Sequence, residues 1–504
     1  MNQLSLEKFL KLCEKGNLIP VYKEIMGDLD TPVSAYYKIA EKSKYSFLLE
    51  SVEGEEKIAR FSFLAKNPEL VIQCKGDKIT ISKSGSKTSS VKTMAIEDTP
   101  LSIIKEEMAK YKFVEIPELP RFCGGLVGYL SYDMIRHFER LPTKTKDDLN
   151  IPDAYLMLAK DIIIFDHIHH KIKVVSCISV DPKSSVKAKT NRYKQAIRII
   201  NNLINELNQP LAINKNKNGR KPSKSVELKV KSNFTEDRFK KIVSAAKEQI
   251  KAGEIIQVVL SQRFEVDLKT EPFQIYRSLR ALNPSPYMYC LKFDDIQVIG
   301  SSPELLVRCE DGIVETRPIA GTRPRGKTQQ EDDAFAKNLL ADEKEKAEHI
   351  MLVDLGRNDL GRVCEKGTVE LSEFMSVEKY SHVMHIVSNV RGKLKSNLDD
   401  FDVLRAAFPA GTVSGAPKIR AMEIIEDLES VRRGPYAGCI GYFSFSGNLD
   451  TCITIRTIVT HKNKAYVQAG AGIVADSNPQ TEYQETLNKA KAQLMAIELA
   501  HQQT

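Results

Sequence analysis

The alternation of hydrophobic and polar residues differs between the two halves of the chain. Before position 210 the pattern favours short strands, because apolar residues alternate or cluster over four to eight positions. Leu70–Cys74 and Lys78–Ser82 flank Gly76, which predicts a β-hairpin. The other elements predicted here are strands at 46–50, 58–64, 154–165 and 171–180 and helices at 100–111 and 191–207.

After position 232 the predicted elements are longer and of both kinds. Thr235 is a good N-cap, Glu236 and Asp237 follow it in the first turn, and Gly253 ends the predicted helix. A final helix begins at Asn478-Pro479. The pattern also predicts a long polar helix at 331–355 and strands at 257–266, 288–293, 297–300, 305–309, 312–316, 438–445, 451–459 and 465–469.

Composition is that of an ordinary globular protein, with 42% hydrophobic and 28% charged residues among 504. The formal net charge of +8 is mostly local, because residues 211–231 hold seven Lys or Arg against Glu227 alone. That stretch has no aromatic residue, so it is a poor candidate for nucleic-acid binding and a good one for a solvated linker. We therefore divide the chain into an N-terminal region (1–210), a basic flexible linker (211–231) and a C-terminal domain (232–504).

Several classes of protein are excluded by simple patterns. No apolar run reaches the roughly 18 residues of a membrane span, and Met1–Leu12 carries charges where a signal peptide needs apolar residues, so we expect a cytoplasmic protein. The nine cysteines form no CxxC pair, which argues against a zinc ribbon. His167, His169 and His170 lie at a predicted turn, where a solvated turn is favoured over a metal site.

Two glutamate pairs are the clearest candidates for chemistry. Glu345 and Glu348, like Glu482 and Glu485, are three residues apart, which places each pair on one helical face. If the two faces converge, they form an anionic oxygen-rich site that suits Mg²⁺. A solvated face and a favourable helix dipole explain the same spacing, and periodicity alone does not decide between these interpretations.

Small residues and cations lie beside predicted strands. Gly470-Ala471-Gly472 and Gly321-Thr322 each follow a predicted strand, where a ligand can approach backbone N–H groups. Arg456 and Arg323 are nearby cations in the sequence. Together with Mg²⁺, such groups would bind a small polycarboxylate.

A series of long motifs resembles component I of anthranilate synthase, a chorismate-utilising enzyme. The resemblance covers residues 234–500 and, more loosely, the N-terminal half through LLES (48–51). It implies a large α+β fold, a two-layer antiparallel β-sandwich surrounded by helices. The motifs are IIQVVLSQRF (255–264), NPSPYMYCL (283–291), GSSPELLV (300–307), TRPIAGTRPRG (316–326), AEHIMLVDLGRNDLGRV (347–363), VMHIVSNVRG (383–392), FPAGTVSGAPKIRAMEII (408–425) and QAGAGIVADSNPQTEYQET (468–486).

The resemblance implies conversion of chorismate and ammonia into anthranilate and pyruvate, with Mg²⁺. Glu348 and Glu485 would bind the metal, with Glu345 and Glu482 beside them. Glu304 would be the general acid for the leaving hydroxyl, and His385 would lie near the ring. The implied chorismate contacts are Gly321, Thr322, Tyr436, Arg456, Gly470, Ala471 and Gly472.

Two positions distinguish the possible products. Isochorismate and salicylate synthases carry Lys as a base where this chain has Gln257, and Gln cannot activate water in that way. Aminodeoxychorismate synthase carries a Lys nucleophile where this chain has Ala320. Both residues favour anthranilate, with aminodeoxychorismate synthase as the alternative. A non-catalytic tryptophan-sensing protein is disfavoured, because both glutamate pairs are intact.

The resemblance also implies partners and regulation. No glutaminase-like Cys/His/Glu motif is evident, so a separate glutamine amidotransferase subunit (component II) would supply the ammonia. Ser51 and Pro286-Tyr287-Met288 match the family's tryptophan-inhibition site, which would join the two halves of the chain.

Overall fold

The computed structural model describes residues 3–52, 60–83, 90–96, 98–211, 228–380 and 383–502. In chain order the strands are β1 (Leu18–Met26), β2 (Tyr45–Glu50), β3 (Phe61–Lys66), β4 (Leu70–Lys75), β5 (Lys78–Lys83), β6 (Ser90–Ala95), β7 (Gly125–Leu130), β8 (Ala154–Ala159), β9 (Asp161–Asp166), β10 (Lys171–Ser179), β11 (Lys231–Ser232), β12 (Gln257–Asp267), β13 (Tyr287–Phe293), β14 (Ile296–Ser302), β15 (Leu305–Glu310), β16 (Ile313–Thr316), β17 (Ile319–Pro324), β18 (Glu370–Lys379), β19 (Val383–Lys393), β20 (Gly415–Ala416), β21 (Cys439–Ser444), β22 (Leu449–Ile453), β23 (Thr457–His461) and β24 (Lys464–Ile473).

The helices lie mostly between or after groups of strands. In chain order they are α1 (Leu6–Leu12), α2 (Pro32–Ile39), α3 (Pro100–Ala109), α4 (Val186–Leu207), α5 (Glu236–Lys251), α6 (Pro272–Leu282), α7 (Gln329–Ala341), α8 (Glu343–Val363), α9 (Asp400–Ala407), α10 (Lys418–Leu428) and α11 (Pro479–Gln502). Short 3₁₀ turns occur at Tyr132–His137 and Gly411–Val413. No helix among the described residues is long and apolar enough to cross a membrane.

The strands form two antiparallel sheets of twelve strands each. The first has the order β1-β10-β9-β3-β2-β13-β14-β23-β24-β12-β11, with β20 also paired to β12. The second has the order β17-β19-β16-β15-β22-β21-β7-β8-β4-β5-β6, with β18 also paired to β19. The predicted α+β fold, with two antiparallel sheets and helices around them, is therefore confirmed.

Strands from before and after the predicted linker share both sheets. In the first sheet, β2 pairs with β13, so that Tyr45 faces Phe293. In the second sheet, β7 pairs with β21, so that Leu130 faces Cys439. The centre of each sheet is thus a joint between the two parts of the chain. Most of the predicted linker, residues 212–227, lies outside the described residues.

Aromatic side chains fill the space between the sheets. Phe293 on β13 stacks on Tyr155 of β8 with 4.3 Å between ring centroids, and it meets Tyr129 of β7 edge-on at 5.7 Å. All three side chains are buried, and burying rings of this size is a major source of stability. Helices α6 and α11 pack against the first sheet, and α8 and α9 pack against the second.

Three elements that the pattern predicts as continuous are interrupted in the structure. The helix at 331–355 is two helices, because Asp342 takes an extended conformation (ψ 108°) and caps α8 with its side chain. The strand at 154–165 is β8 and β9, which belong to different sheets. The strand at 451–459 is likewise β22 and β23, and the chain crosses between the sheets at residues 454–456.

Other local predictions hold. Gly76 joins β4 to β5 with φ of +51°, a conformation in which glycine is favoured. Thr235 caps α5 by accepting a hydrogen bond from the Arg238 amide, and Asn478 caps α11 through the amides of Gln480 and Thr481. Of the predicted strand at 58–64, residues 58 and 59 lie outside the described residues, and β3 begins at Phe61.

Candidate active site

The two predicted glutamate pairs lie at the start of α8 and near the start of α11. Asp342 caps α8 by accepting hydrogen bonds from the amides of Lys344 and Glu345, which fixes the first turn. The Gln257 Nε2 atom donates to Glu348 Oε1 at 3.4 Å, so the first residue of β12 meets the first pair. These contacts place one carboxylate pair at the end of the first sheet.

The second pair is linked to the same sheet by a lysine. Lys489 Nζ lies 2.5 Å from Glu485 Oε1 and donates to the carbonyl oxygen of Gly470 on β24 at 3.1 Å. Gly472, also on β24, lies against Gln257, because a Cβ at Gly472 would come within 2.6 Å of Gln257 Nε2. Gln257 and Lys489 therefore connect both glutamate pairs to β24.

Burial and a neighbouring negative charge raise the pKa of one glutamate in each pair. Burial raises the pKa of Glu348, and the neighbouring Glu345 raises it further. Burial raises the pKa of Glu482 as well, and Glu485 adds to the effect. Within the described ranges, no three His, Cys, Asp or Glu side chains are grouped closely enough to hold a metal ion. The glutamates nevertheless offer hard carboxylate oxygens, the ligands that Mg²⁺ prefers. A bound dication would also reduce the repulsion between their negative charges, so these residues fit Mg²⁺.

Gly321 and His385 form another part of the site. Gly321 and Thr322 lie within β17 rather than after a strand, at a register shift between Ala320 and Arg323. Gly321 has φ of +67°, and a Cβ there would lie 3.1 Å from Glu345 Oε2. His385 Nδ1 lies 2.7 Å from the Gly321 carbonyl oxygen and 3.2 Å from Thr322 Oγ1. Burial lowers the pKa of His385, which favours its neutral form.

Tyr436 and the Gly470–Gly472 segment lie together. The segment is inside β24, not after a strand as predicted, and its small residues allow Tyr436 to approach: a Cβ at Gly470 would lie 2.6 Å from the tyrosine hydroxyl. Ala471 is fully buried, and its side chain packs in the core beneath α5 and α10, so only its backbone remains for a ligand. Burial raises the pKa of Tyr436 to about 12, so its hydroxyl stays a donor.

The two predicted arginines have different surroundings. Arg456 is not in a strand but at the crossing between β22 and β23, with φ of +52°. Its Nη1 atom donates to the Lys489 carbonyl oxygen at 2.5 Å, which places it beside Tyr436 and Glu485. Arg323 instead binds two carboxylates, Asp342 at 2.8 Å and Glu345 at 3.3 Å. Arg456 is therefore the better placed of the two for an anionic ligand.

Glu304 lies at a small cavity between the second sheet and α8. Leu352, Leu355 and Ala410 contribute much of the apolar wall, and the cavity holds about 40 Å³, enough for one water molecule. Burial raises the pKa of Glu304 to about 7, while Thr412 and Lys489 oppose the rise. A carboxyl with this pKa is about half protonated at neutral pH, which suits it to act as a general acid.

The proposed tryptophan segments are neighbours in the structure. The Val52 amide donates to the Ser285 carbonyl oxygen at 3.3 Å, and Met288 pairs with Glu50 across β13 and β2. Ser51 Oγ is buried and has no hydrogen-bond partner among the described residues, which exclude 53–59. Pro286 and Met288 are buried nearby, whereas the Tyr287 hydroxyl reaches the second sheet and donates to Asp450 at 3.0 Å.

Two residues of this site were missed in the sequence. Lys489 has a usable signal, because it lies four residues after Glu485 and so on the same helical face. Thr412 gives no such signal: it sits in a 3₁₀ turn, and only the fold brings it to Glu304.

Comparison with known proteins identifies the class. Residues 44–495 match a family described as chorismate binding enzymes. The chain belongs to this family.

Relatives and a solved structure refine the comparison. The chain is 49% identical to anthranilate synthase component 1 of Acetivibrio thermocellus, over 98% of both chains. It is 48% identical to the protein of the same name from Aquifex aeolicus, over 99% of this chain and 98% of the relative. Anthranilate synthase component I from Streptococcus pneumoniae superimposes with a TM-score of 0.75 at 40% identity, over 93% of this chain and 98% of that one. The resemblance expected from the motifs is confirmed, and the chain is an enzyme.

Proposed function

We propose that this chain converts chorismate and ammonia into anthranilate and pyruvate, with release of water, as the chorismate-binding component of an anthranilate synthase. The observation that carries the proposal is that both glutamate pairs reach paired strands, Glu348 through Gln257 of β12 and Glu485 through Lys489 and β24. This arrangement occurs in a chain 49% identical to a protein of that name. Relatives named component 1 also imply a second component, which we propose to be a glutamine amidotransferase.

The cations and backbone groups bind the two carboxylates of the substrate. Arg456 and Lys489 supply positive charge on one side of the site, and β24 supplies a surface free of bulky side chains at Gly470 and Gly472. The Tyr436 hydroxyl remains protonated and donates a hydrogen bond. These groups orient the chorismate ring, and holding the reactants in a reactive geometry increases the rate of reaction.

Glu304 provides the proton for the departing hydroxyl. Its buried carboxyl holds a proton near neutral pH. Transfer of this proton to the hydroxyl releases water as ammonia adds to the ring. His385, held neutral by burial and aligned by Gly321 and Thr322, is placed to act at the ring when pyruvate leaves.

Glu348 and Glu485 would hold Mg²⁺, with Glu345 and Glu482 beside them. When bound, Mg²⁺ supplies a Lewis acid and a template for the ring carboxylate. The carboxylates of α8 and α11 would otherwise repel an anionic substrate. Gln257 holds Glu348 in place by its hydrogen bond.

The residue at position 257 favours addition of ammonia over addition of water to chorismate. A glutamine amide has no useful basicity, so it does not activate water. The Gln257 Oε1 atom is buried, and within the described part of the chain nothing hydrogen-bonds it. Ala320 offers no nucleophile for a covalent intermediate. Ammonia, itself a good nucleophile, needs neither group, which supports anthranilate as the product.

We propose that tryptophan inhibits the enzyme by binding between the Ser51 and Pro286–Met288 segments. The Ser51 hydroxyl, which no described residue hydrogen-bonds, offers a hydrogen bond, and the buried Pro286 and Met288 offer apolar surface. β2 and β13 pair at the centre of the first sheet, and they come from the N-terminal and C-terminal parts of the chain. A ligand bound beside them would therefore contact both parts where they meet. Inhibition requires that tryptophan favours a state with weaker chorismate binding.

Product analysis tests the proposed reaction. Purified chain is incubated with chorismate, ammonium chloride and MgCl₂, and the products are separated by chromatography. We expect anthranilate as the aromatic product, and none when chorismate or ammonium is omitted. Isochorismate or aminodeoxychorismate as the main product would overturn the assignment.

A further inference from the structure

A buried ion pair between Glu429 and Arg433 lies directly behind the candidate active site. The two side chains are 3% and 1% exposed. Arg433 donates from Nη2 and Nε to the carboxylate of Glu429 at 2.6 and 3.0 Å. Removing two charges from water costs about as much as their attraction returns, so net stabilisation is a weak explanation for this pair.

The remaining polar atoms of the pair bind backbone groups of two segments that carry site residues. Arg433 donates to the carbonyl oxygens of Val413 and Val259, each at 2.7 Å. Val413 follows Thr412, and Val259 lies two residues after Gln257 on β12. Glu429 Oε1 accepts from the Ser261 amide at 2.8 Å and from Ser261 Oγ at 2.9 Å. The pair therefore ties the 3₁₀ turn beside Glu304 to the strand that begins at Gln257.

The same pair also reaches Tyr436 and β24. The Arg433 guanidinium carbon lies 5.6 Å from the centre of the Tyr436 ring, within the range of a cation–π contact. The Tyr436 hydroxyl lies against Gly470. Gln468, two residues earlier on β24, donates to Ser261 Oγ at 2.8 Å. One buried hydrogen-bond network thus joins the 3₁₀ turn, β12 and β24, and Tyr436 contacts it through the Arg433 guanidinium.

We propose that Glu429 and Arg433 are positioning residues that hold Thr412, Tyr436 and the starts of β12 and the glycine segment in their catalytic arrangement. This inference rests on the proposed function, and neither side chain contacts the substrate. Because a displacement of about 1 Å at a reacting group can cost roughly 100-fold in rate, loosening this network lowers turnover without removing any catalytic group.

Arg433→Lys tests the proposal with a matched control. Lysine keeps the charge that compensates Glu429 but loses the fork that binds both carbonyl oxygens. The control is Arg136→Lys, because Arg136 makes a mostly buried pair (16% and 5% exposed) at 2.6 Å with Glu426, which lies on α10 three residues before Glu429. Kinetic constants for chorismate and ammonium are measured for each variant and divided by the folded fraction from circular dichroism.

For Arg433→Lys we expect kcat/KM for chorismate to fall by about 10- to 100-fold, with KM for ammonium changed by less than about twofold. Arg136→Lys is expected to keep the parent's constants. Parent-like kinetics in folded Arg433→Lys, or an equal loss in the control, would overturn the inference while leaving the proposed function intact. An inactive parent would overturn both. If Arg433→Lys does not fold, Glu429→Gln is judged by the same criteria, since it keeps an acceptor for Ser261.

Discussion

Replacing Glu304 by Gln separates the catalytic role of this side chain from its effect on stability. Glutamine has nearly the same shape but no acidic proton to transfer, so we expect the rate of anthranilate formation to fall by about 100-fold or more. The same change removes an ionisable group from a buried position. Loss of activity should therefore come with a gain in stability at alkaline pH.

The size of that gain follows from the pKa of Glu304, which burial raises from 4.5 to about 7. The folded protein binds this proton more tightly than the unfolded chain, so its stability falls as pH rises above 4.5, and the loss is complete above about pH 7. The linkage relation gives a cost of about 1 kcal/mol at pH 5 and about 3 kcal/mol at pH 8. Glu304→Gln removes this cost.

Urea unfolding of parent and variant at pH 5 and pH 8 measures the effect. The free energy of unfolding of the variant should exceed that of the parent by about 2 kcal/mol more at pH 8 than at pH 5. The parent's kcat/KM should also decline above about pH 7. A stability difference that stays constant with pH, or that favours the parent at pH 8, would refute the argument.

Three further substitutions test other parts of the site. Glu348→Gln should lower the ammonium-dependent rate by about 100-fold and raise the Mg²⁺ concentration needed, since one anionic ligand is lost; an unchanged Mg²⁺ titration would contradict the metal assignment. Gln257→Lys introduces a base beside Glu348 and should yield some isochorismate when ammonium is omitted, detected by chromatography; a folded, chorismate-binding variant that forms none would count against the base argument. Ser51→Phe should fill the pocket and raise the tryptophan concentration for half-inhibition by roughly tenfold or more, with little change in uninhibited rate; equal inhibition of parent and variant would remove the site.

Hydrophobic periodicity predicted most elements but not their interruptions. The hairpin at Gly76 and the caps at Thr235 and Asn478 depend on local chemistry, so the sequence suffices. The crossings at Lys160 and Arg456 carry no glycine or proline, and buried apolar residues continue on both sides of each crossing. Where the chain passes from one buried sheet to the other, the sequence therefore lacks the glycine or proline that would indicate a turn.

The site shows the same division between local and long-range information. Spacing alone places Glu345 with Glu348 and Glu482 with Glu485, but it does not reveal that α8 reaches β12 and α11 reaches β24, two strands that pair with each other. The resemblance to known enzymes indicated most of the site residues, including Gln257, Glu348 and Gly470. Their contacts became visible only in the fold, where Gln257 meets Glu348 and Lys489 meets Gly470. Arg433 behind Tyr436 is a contact between residues whose roles no spacing indicates.

The most direct measurement of the proposed reaction uses ¹⁵N-ammonium. Purified chain, chorismate, MgCl₂ and ¹⁵N-ammonium chloride are combined, and anthranilate and pyruvate are quantified by mass spectrometry. The account predicts ¹⁵N in the anthranilate amino group and one pyruvate for each anthranilate, with both products falling together in Glu304→Gln. A labelled product that retains the pyruvyl carbons, or pyruvate released without labelled anthranilate, would contradict it.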